Sequence, residues 1–284
     1  GVSDDEANSI AMDDAKNIYI TGSFQSKANM DNVFFTSDGY RDAYLSKLDS
    51  LGKVKWVKTI DGKGVETGYG VSVDRQQQVC IAGFFSDTII FSGKKMGSNG
   101  NKDIYIAKYS SDGEPLWLRQ AGGKQEDVAY AIANDIWGNS YITGSFKKNA
   151  VFGDTTIGSA GSSDLFIAKY DPSGNFKWVQ KGGGLQSEEA NAIVVDGNGN
   201  AYITGTFEGV PKMGDVILKN NEFAGIFVAQ CDPSGKINWA YHAGRTSHDA
   251  GNGIYLNLFG YPFITGVIKE NADFEKITLL NNRS

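Results

Sequence analysis

A period of 61 residues runs through the chain and limits its fold more than any other feature. Trp56, Trp117, Trp178 and Trp239 stand 61 residues apart, as do Gly22, Gly83, Gly144, Gly205 and Gly266. The glycines Gly52, Gly113, Gly174 and Gly235 and the acids Asp13, Asp74, Asp135 and Asp196 keep the same spacing with no insertion or deletion. The 284 residues hold about 4.7 copies: 1–61, 62–122, 123–183, 184–244 and a partial fifth over 245–284. A unit of this kind does not bury its apolar face alone and is completed by its neighbours. The expectation is therefore a single domain over residues 1–284.

The third copy reads most clearly. Ala129–Asn134 is short and half apolar, and the turn Asp135-Ile136-Trp137-Gly138-Asn139 leads from it to Tyr141–Phe146. A polar, glycine-rich stretch broken by Val151-Phe152 reaches Ser163. Leu165–Tyr170, the turn Asp171-Pro172-Ser173-Gly174 and Asn175–Val179 complete the copy. Each apolar piece is short, rich in β-branched and aromatic residues and bounded by turn formers, which are strand signals. No segment has a sustained 3.6-residue apolar rhythm, so almost no helix is expected. Four strands per copy, repeated, predict an all-β protein, a β-propeller of four-stranded antiparallel blades. The first strand of each copy is expected innermost, the Trp-bearing strand outermost, and the Trp56 series in the core. Blade repeats of roughly 40–50 residues are usual, and the excess here is assigned to the connection between second and third strands, residues 25–41 in the first copy. Gly1 aligns with Gly184, so the chain is expected to open just before a first strand, with any targeting segment upstream. Four full blades and the inner half of a fifth predict five or more blades in the intact ring.

Two blocks carry a family likeness. Glu189-Ala190-Asn191-Ala192-Ile193-Val194-Val195-Asp196-Gly197-Asn198-Gly199-Asn200-Ala201-Tyr202-Ile203-Thr204-Gly205-Thr206-Phe207 and Asp164-Leu165-Phe166-Ile167-Ala168-Lys169-Tyr170-Asp171-Pro172-Ser173-Gly174 resemble the β-propeller repeat of bacterial surface proteins. The resemblance covers the whole chain. It implies the propeller fold and a place in a large secreted or cell-surface protein, a lipoprotein or adhesin of Bacteroidetes-like bacteria. It implies nothing specific about activity, since propellers host many unrelated ones.

Charge narrows the partners. A net charge of −6 and a pI near 5.0 argue against nucleic acid or an anionic membrane, both of which call for a basic surface. No apolar run approaches the ~18 residues of a membrane span, so no membrane insertion is expected within this segment. Cys80 and Cys231 occupy different positions of different copies and read as two small buried hydrophobes.

Several groups are candidates for chemistry. An acid precedes every first strand, as Asp5, Glu66, Asp127, Glu188 and Asp249. In a ring these would circle one mouth of the axial channel, either as a cation site or, the preferred reading, as acceptors that hold neighbouring blades together. Asp42, Asp103 and Asp164 share one strand position and Lys47, Lys108 and Lys169 another. Both are lost in the fourth copy, as Gly225 and Gln230, which suggests ion-pair partners. Asp196-Gly197-Asn198-Gly199-Asn200 opens like a calcium loop, but Ala201 and Phe207 stand where glycine and glutamate belong, so a hairpin turn is expected. Gly182-Gly183-Gly184 lacks the helix and the Lys-Ser/Thr pair of a phosphate loop. His242 and His248 form no metal set, and no nucleophile-elbow motif supports a catalytic triad.

Positions that differ between copies say more about binding. The tip of the first turn is Ala15, Gln76, Trp137, Asn198 and Phe259 in the five copies. Trp137 and Phe259 are candidate ligand-binding residues, because exposed aromatics anchor protein or sugar ligands. The long connections near Phe35, Tyr40, Met96 and Phe223 vary too, and loops carry recognition. The resulting expectation is a non-catalytic extracellular or cell-surface binding or scaffold module for protein or glycan, with no cofactor beyond a weak case for Ca²⁺. Its rivals are a carbohydrate-active enzyme with carboxylates at the channel mouth, and a structural spacer in a large adhesin.

Overall fold

The computed structural model describes residues 3–218, 224–243, 249–269, 272–274 and 277–279. Gly1, Phe223 and His248 lie outside the described residues. All regular structure among the described residues is β-strand. In the third copy Val128–Asn134, Ser140–Phe146, Asp164–Tyr170 and Phe176–Gly183 form an antiparallel meander in sequence order. The first, second and fourth copies repeat it, and the fifth contributes Ala250–Leu256 and Pro262–Val267.

Burial explains the patterning. The second and third strands of the internal copies are buried along nearly their whole length. They lie mid-sheet and are covered on both faces by neighbouring copies, so they read as continuous apolar runs rather than as alternation. First and fourth strands are half-buried and more mixed. The Gly22 series has a local cause. Each first strand carries a bulge opposite this glycine, between Ala129 and Ala131 in the third copy. A Cβ on Gly144 would fall on the carbonyl oxygen of Val128, and Gly22, Gly83, Gly205 and Gly266 meet the same obstacle.

Successive copies meet along their first strands: Glu6–Met12 contacts Glu66–Val73, and the contact repeats through Val128–Asn134, Glu188–Val195 and Ala250–Leu256. Fourth strands of successive copies do not touch in this way, so the sheets converge at their first strands and splay at their fourth. Backbone bonds lock the interface. The amides of Glu66, Asp127 and Glu188 donate to the carbonyls of Arg41, Lys102 and Ser163, at 2.7, 2.9 and 3.0 Å.

The long connections are not loops. In copies two, three and four the described part folds as a hairpin that reaches back to the preceding copy and extends the outer edge of its sheet. Thr88–Phe91 and Lys94–Gly97 add to the first copy's sheet, with Ile90 opposite Asp61 and Ile89 opposite Gly62. Asn149–Phe152 and Thr155–Gly158 add to the second copy's sheet, and Lys212–Met213 and Val216–Ile217 to the third's. Three sheets are therefore six-stranded, and the Trp-bearing strand is the fourth of six rather than the outermost. The hairpin of the first copy, Lys27–Met30 with Val33–Thr36, is a separate two-stranded sheet.

The Trp56 series also departs from expectation. Trp56, Trp117 and Trp178 are half-buried, and each indole Nε1 donates across to the next copy's second turn, to Ser111 O (3.3 Å), Pro172 O (3.0 Å) and Pro233 O (2.9 Å). Each ring lies against the glycine of that turn, Gly113, Gly174 or Gly235. These tryptophans staple neighbouring copies instead of filling the core of one. The core proper is split into clusters between copies, such as Phe146, Phe152, Phe166 and Tyr170 with Ile104 and Ile106 of the copy before.

Candidate binding surface

Copies one to four each present two tight turns at the same end, between the first and second and the third and fourth strands, and the fifth presents the first of these. In the first turn of copy three, Asp135 Oδ1 accepts from the amides of Trp137 (3.0 Å) and Asn139 (2.9 Å), and Gly138 N donates to Asp135 O (3.0 Å). The fourth turn residue sits at positive φ, +83° at Gly138 and Gly199, where glycine is favoured. Lys16 and Gln77 adopt that conformation in the first two copies at a local cost. The Asp196 turn is built the same way: its carboxylate is occupied by the amides of Asn198 and Asn200, the Asn200 side chain and the Tyr202 hydroxyl. It is a hairpin turn in geometry as in sequence.

On these turns the copy-specific residues face outward. Trp137 is 55 % exposed and Phe259 84 %. The Trp137 ring is not loose, since a Cβ on Gly199 of the next copy's turn would meet it at 3.2 Å. Phe259 N donates to Asn257 Oδ1 at 2.9 Å, the same turn lock with asparagine for aspartate. Leu258 and Tyr261 are exposed beside Phe259. The surface thus has two aromatic ledges on rigid turns, at copies three and five.

The carboxylates do not line an open mouth. Glu66, Asp127, Glu188 and Asp249 are fully buried, and Asp5 is exposed. Asp127 accepts from the amides of Gly123 (2.7 Å) and Lys147 (3.1 Å), Glu188 from Gly184 (2.9 Å), and Asp249 from Lys269 (2.8 Å). Asp5 accepts from Gln25 N at 3.4 Å. Asp127 and Glu188 thus clasp the backbone at the start of their copies, whereas Asp5 and Asp249 hold the backbone just after the second strand of their own copy. Glu66, Asp127 and Glu188 also lie near the aspartate that opens the preceding third strand, Asp42, Asp103 and Asp164: a Cβ on Gly122 would sit 3.1 Å from both carboxyl groups of the Asp103–Asp127 pair. Burial pushes Glu66 up to about 9, with the Asp42 charge raising it further, and Asp42 to about 6, where Asp61 adds like charge and a hydrogen bond with Glu66 acts in the lowering direction. Burial likewise raises Asp127 to about 6 and Glu188 to about 7, with Asp103 and Asp164 contributing repulsion. Among the described residues no three His, Cys, Asp or Glu side chains are arranged to hold a metal ion.

The lysine pairing is a correction. Lys108 Nζ meets Asp74 Oδ2 at 2.8 Å, both groups buried, and Lys169 approaches Asp135 at 4.0 Å. Lys47 donates to Ser111 O (2.8 Å) and lies 5.3 Å from the Tyr19 ring centroid. In copies two and three this lysine pairs with the turn aspartate of its own copy rather than with Asp103 or Asp164, and in copy one Lys47 is held by Ser111 O rather than by Asp42. In the fourth copy Gln230 donates instead to Tyr202 Oη at 2.9 Å, so the joint loss of lysine and strand aspartate has two separate structural settings.

Groups suited to nucleophilic chemistry are enclosed. Cys80 and Cys231 are free and buried, and burial raises their thiols to about 11 and about 12, far from a reactive thiolate. His242 is half-buried against Phe207, which lowers its pKa. One feature has no single-residue signature in the sequence: a cleft of about 710 Å³ between the second copy's hairpin and its fourth strand, bordered by Lys94, Lys95, Pro115 and Trp117.

Fold and surface together define a repeat-built, all-β antiparallel protein whose copies share a scaffold and differ at the turns. The chain is similar to an uncharacterized WD repeat-containing protein of Acanthamoeba polyphaga mimivirus, 26 % identical over 230 residues, covering 68 % of this chain and 17 % of the relative. It is also similar to the regulatory protein FlaEY of Caulobacter vibrioides, 26 % identical over 178 residues, 60 % of this chain and 18 % of that protein. The chain therefore spans less than a fifth of the curated relatives it matches. No protein-family profile matches it. A solved protein of unknown function from Bacteroides caccae aligns over 84 % of this chain and 82 % of its own, at a TM-score of 0.38 and 11 % identity. No helix among the described residues is long and apolar enough to cross a membrane.

Proposed function

We propose that this chain is a β-propeller segment, part of a ring of five or more blades, acting as a non-catalytic binding or scaffold module for protein or glycan outside the cell. Convergence of the sheets at their first strands supports the ring: identical units that meet at one edge and splay at the other turn about an axis. The bacterial surface-repeat likeness of the Glu189–Phe207 and Asp164–Gly174 blocks is the ground for the extracellular assignment. The mimivirus relative is named for WD repeats, a propeller repeat.

The observation that carries the binding reading is Trp137: a large aromatic, exposed on a turn whose other copies have Ala15, Gln76, Asn198 and Phe259, and held in place by the adjoining turn. A pre-positioned indole loses little freedom on binding, so its contact area converts efficiently into affinity. The carboxyl groups that an enzyme would use are buried between copies and recur at every interface, so they suit packing better than substrate contact. A glycan array and a pull-down with the intact chain test the proposal. Trp137→Ala is expected to weaken the captured ligand by at least about tenfold, ~1.4 kcal/mol. Unchanged affinity removes the turn face from the binding role.

A further inference from the structure

The second copy holds a cleft of about 710 Å³, and its chemistry is legible. In the third copy the hairpin turn closes on the fourth strand, where a Cβ on Gly153 would meet the Phe176 ring at 2.6 Å. In the fourth copy Gly214 closes on Ile237 at 3.3 Å. The corresponding pair in copy two is Ser92 and Pro115, and the short proline ring leaves the space between turn and strand open, with both residues lining it. A Cβ added at Gly93, the tip of that turn, would meet nothing within 4 Å.

The charge of the cleft is equally local. Lys94 and Lys95 stand where copy three has Thr155 and Thr156, both are exposed, and neither has an ion-pair partner among the described residues. The Arg119 guanidinium borders the cleft 5.5 Å from the Trp117 ring, fixed by Gly174 O (2.7 Å) and Ser173 O (3.0 Å). The cleft is thus cationic and aromatic on a chain of net charge −6.

We propose that this cleft binds an acidic sugar unit, a carboxylated or sulfated pyranose within a glycan. An indole beside Gln78, Ser92 and Ser173 offers an apolar face next to hydroxyl and amide partners, the combination a pyranose ring engages. The donors that would serve a peptide backbone, Trp117 Nε1 and the Arg119 guanidinium, are already bonded to turn carbonyls. The charges outside any ion pair are the ammonium groups of Lys94 and of Lys95, the latter also bordering a cleft with Asp38, Asp61 and Asp87, and such point charges suit a carboxylate or sulfate on a sugar. The inference rests on the reading of the chain as an interaction module and names a site and ligand class for it.

The test installs the third copy's residues in the second. Calorimetric titration of the intact chain with trigalacturonate and with a sulfated trisaccharide, at 50 and 300 mM NaCl, measures binding. Maltotriose and pentaglutamate are the controls. Saturable binding of either acidic sugar is expected, weakened several-fold by the higher salt. The pair Ser92→Gly/Pro115→Phe, which fills the cleft, and the pair Lys94→Thr/Lys95→Thr, which removes its charge, are each expected to weaken it by about tenfold or more. Thermal midpoints close to that of the parent show that both variants fold. No saturation by either acidic sugar, equal binding to the filled cleft, or pentaglutamate binding as tightly as the sugars overturns the proposal. Absence of acidic-sugar binding by the parent chain while a turn-face ligand is still captured sinks this inference alone, whereas cleft binding with no effect of Trp137→Ala on the captured ligand sinks only the role of Trp137.

Discussion

At the scale of single residues, the molecule keeps acids where water cannot reach them. Asp42 and Glu66 share one buried site, and the repulsion between them is relieved by holding a proton. Their pKa values, and those of Asp127 and Glu188, are raised on folding, so the folded state binds more protons than the unfolded chain between about pH 4 and the folded values of 6 to 9. These groups contribute stability that is fully present below the unfolded pKa and is lost as pH rises through the folded one. Acids with lowered values, such as Asp171 at about 2, act oppositely and only at lower pH. The thermal midpoint is therefore expected to fall between pH 5 and pH 8.5. Glu66→Gln, which keeps the shape and removes the charge, should reduce that fall, raising the midpoint at pH 8.5 by on the order of 5 °C. Calorimetry at the two pH values measures both, and an equal fall in parent and variant contradicts this account of the pair.

The element that governs assembly is the hairpin. The residues beyond an ordinary blade length would be idle as a loop, yet as a hairpin they cover the outer edge of the preceding sheet and carry one copy's chain onto another's. Removing residues 149–158 in favour of a two-residue turn exposes the backbone of Ala121, Gly122 and Gly123. The second copy's sheet then ends in an unprotected edge, and Phe152 is lost from the core shared by copies two and three. The variant is expected to lose about 3–5 kcal/mol and to self-associate through the bare strand, as measured by denaturant titration and light scattering. A monomer of parental stability would show the hairpin to be ornamental.

For the whole molecule, position along the repeat decides what a residue does. Ile10 and Ile132 are equivalent in sequence, yet Ile10 is 67 % exposed and Ile132 only 6 %, because Ile132 is covered by the copy before it. Ile132→Lys strands a charge in an apolar interface and is expected to cost roughly 3–5 kcal/mol. Ile10→Lys in this chain is expected to change stability by about 0.5 kcal/mol or less. Equal effects in denaturant unfolding would mean that the interface between copies is not what stabilises them.

Much of this was legible in the chain. The strands, turns and their order follow from alternation, β-branched content and turn residues, since these are local preferences repeated at one period. Trp137 and Phe259 could be picked out because a tip that changes between copies is visible in an alignment of the copies with one another. Pairing across copies was not legible. Whether Lys108 meets Asp74 or Asp103, whether Trp117 fills a core or staples a turn, and whether residues 149–158 hang free or join another sheet depend on contacts between segments separated by 30 to 60 positions. The Pro115 cleft belongs to the same class. Sequence determines what each copy can form by itself, and only the packing of one copy on the next determines which of its groups are left for solvent, because burial is a property of neighbours.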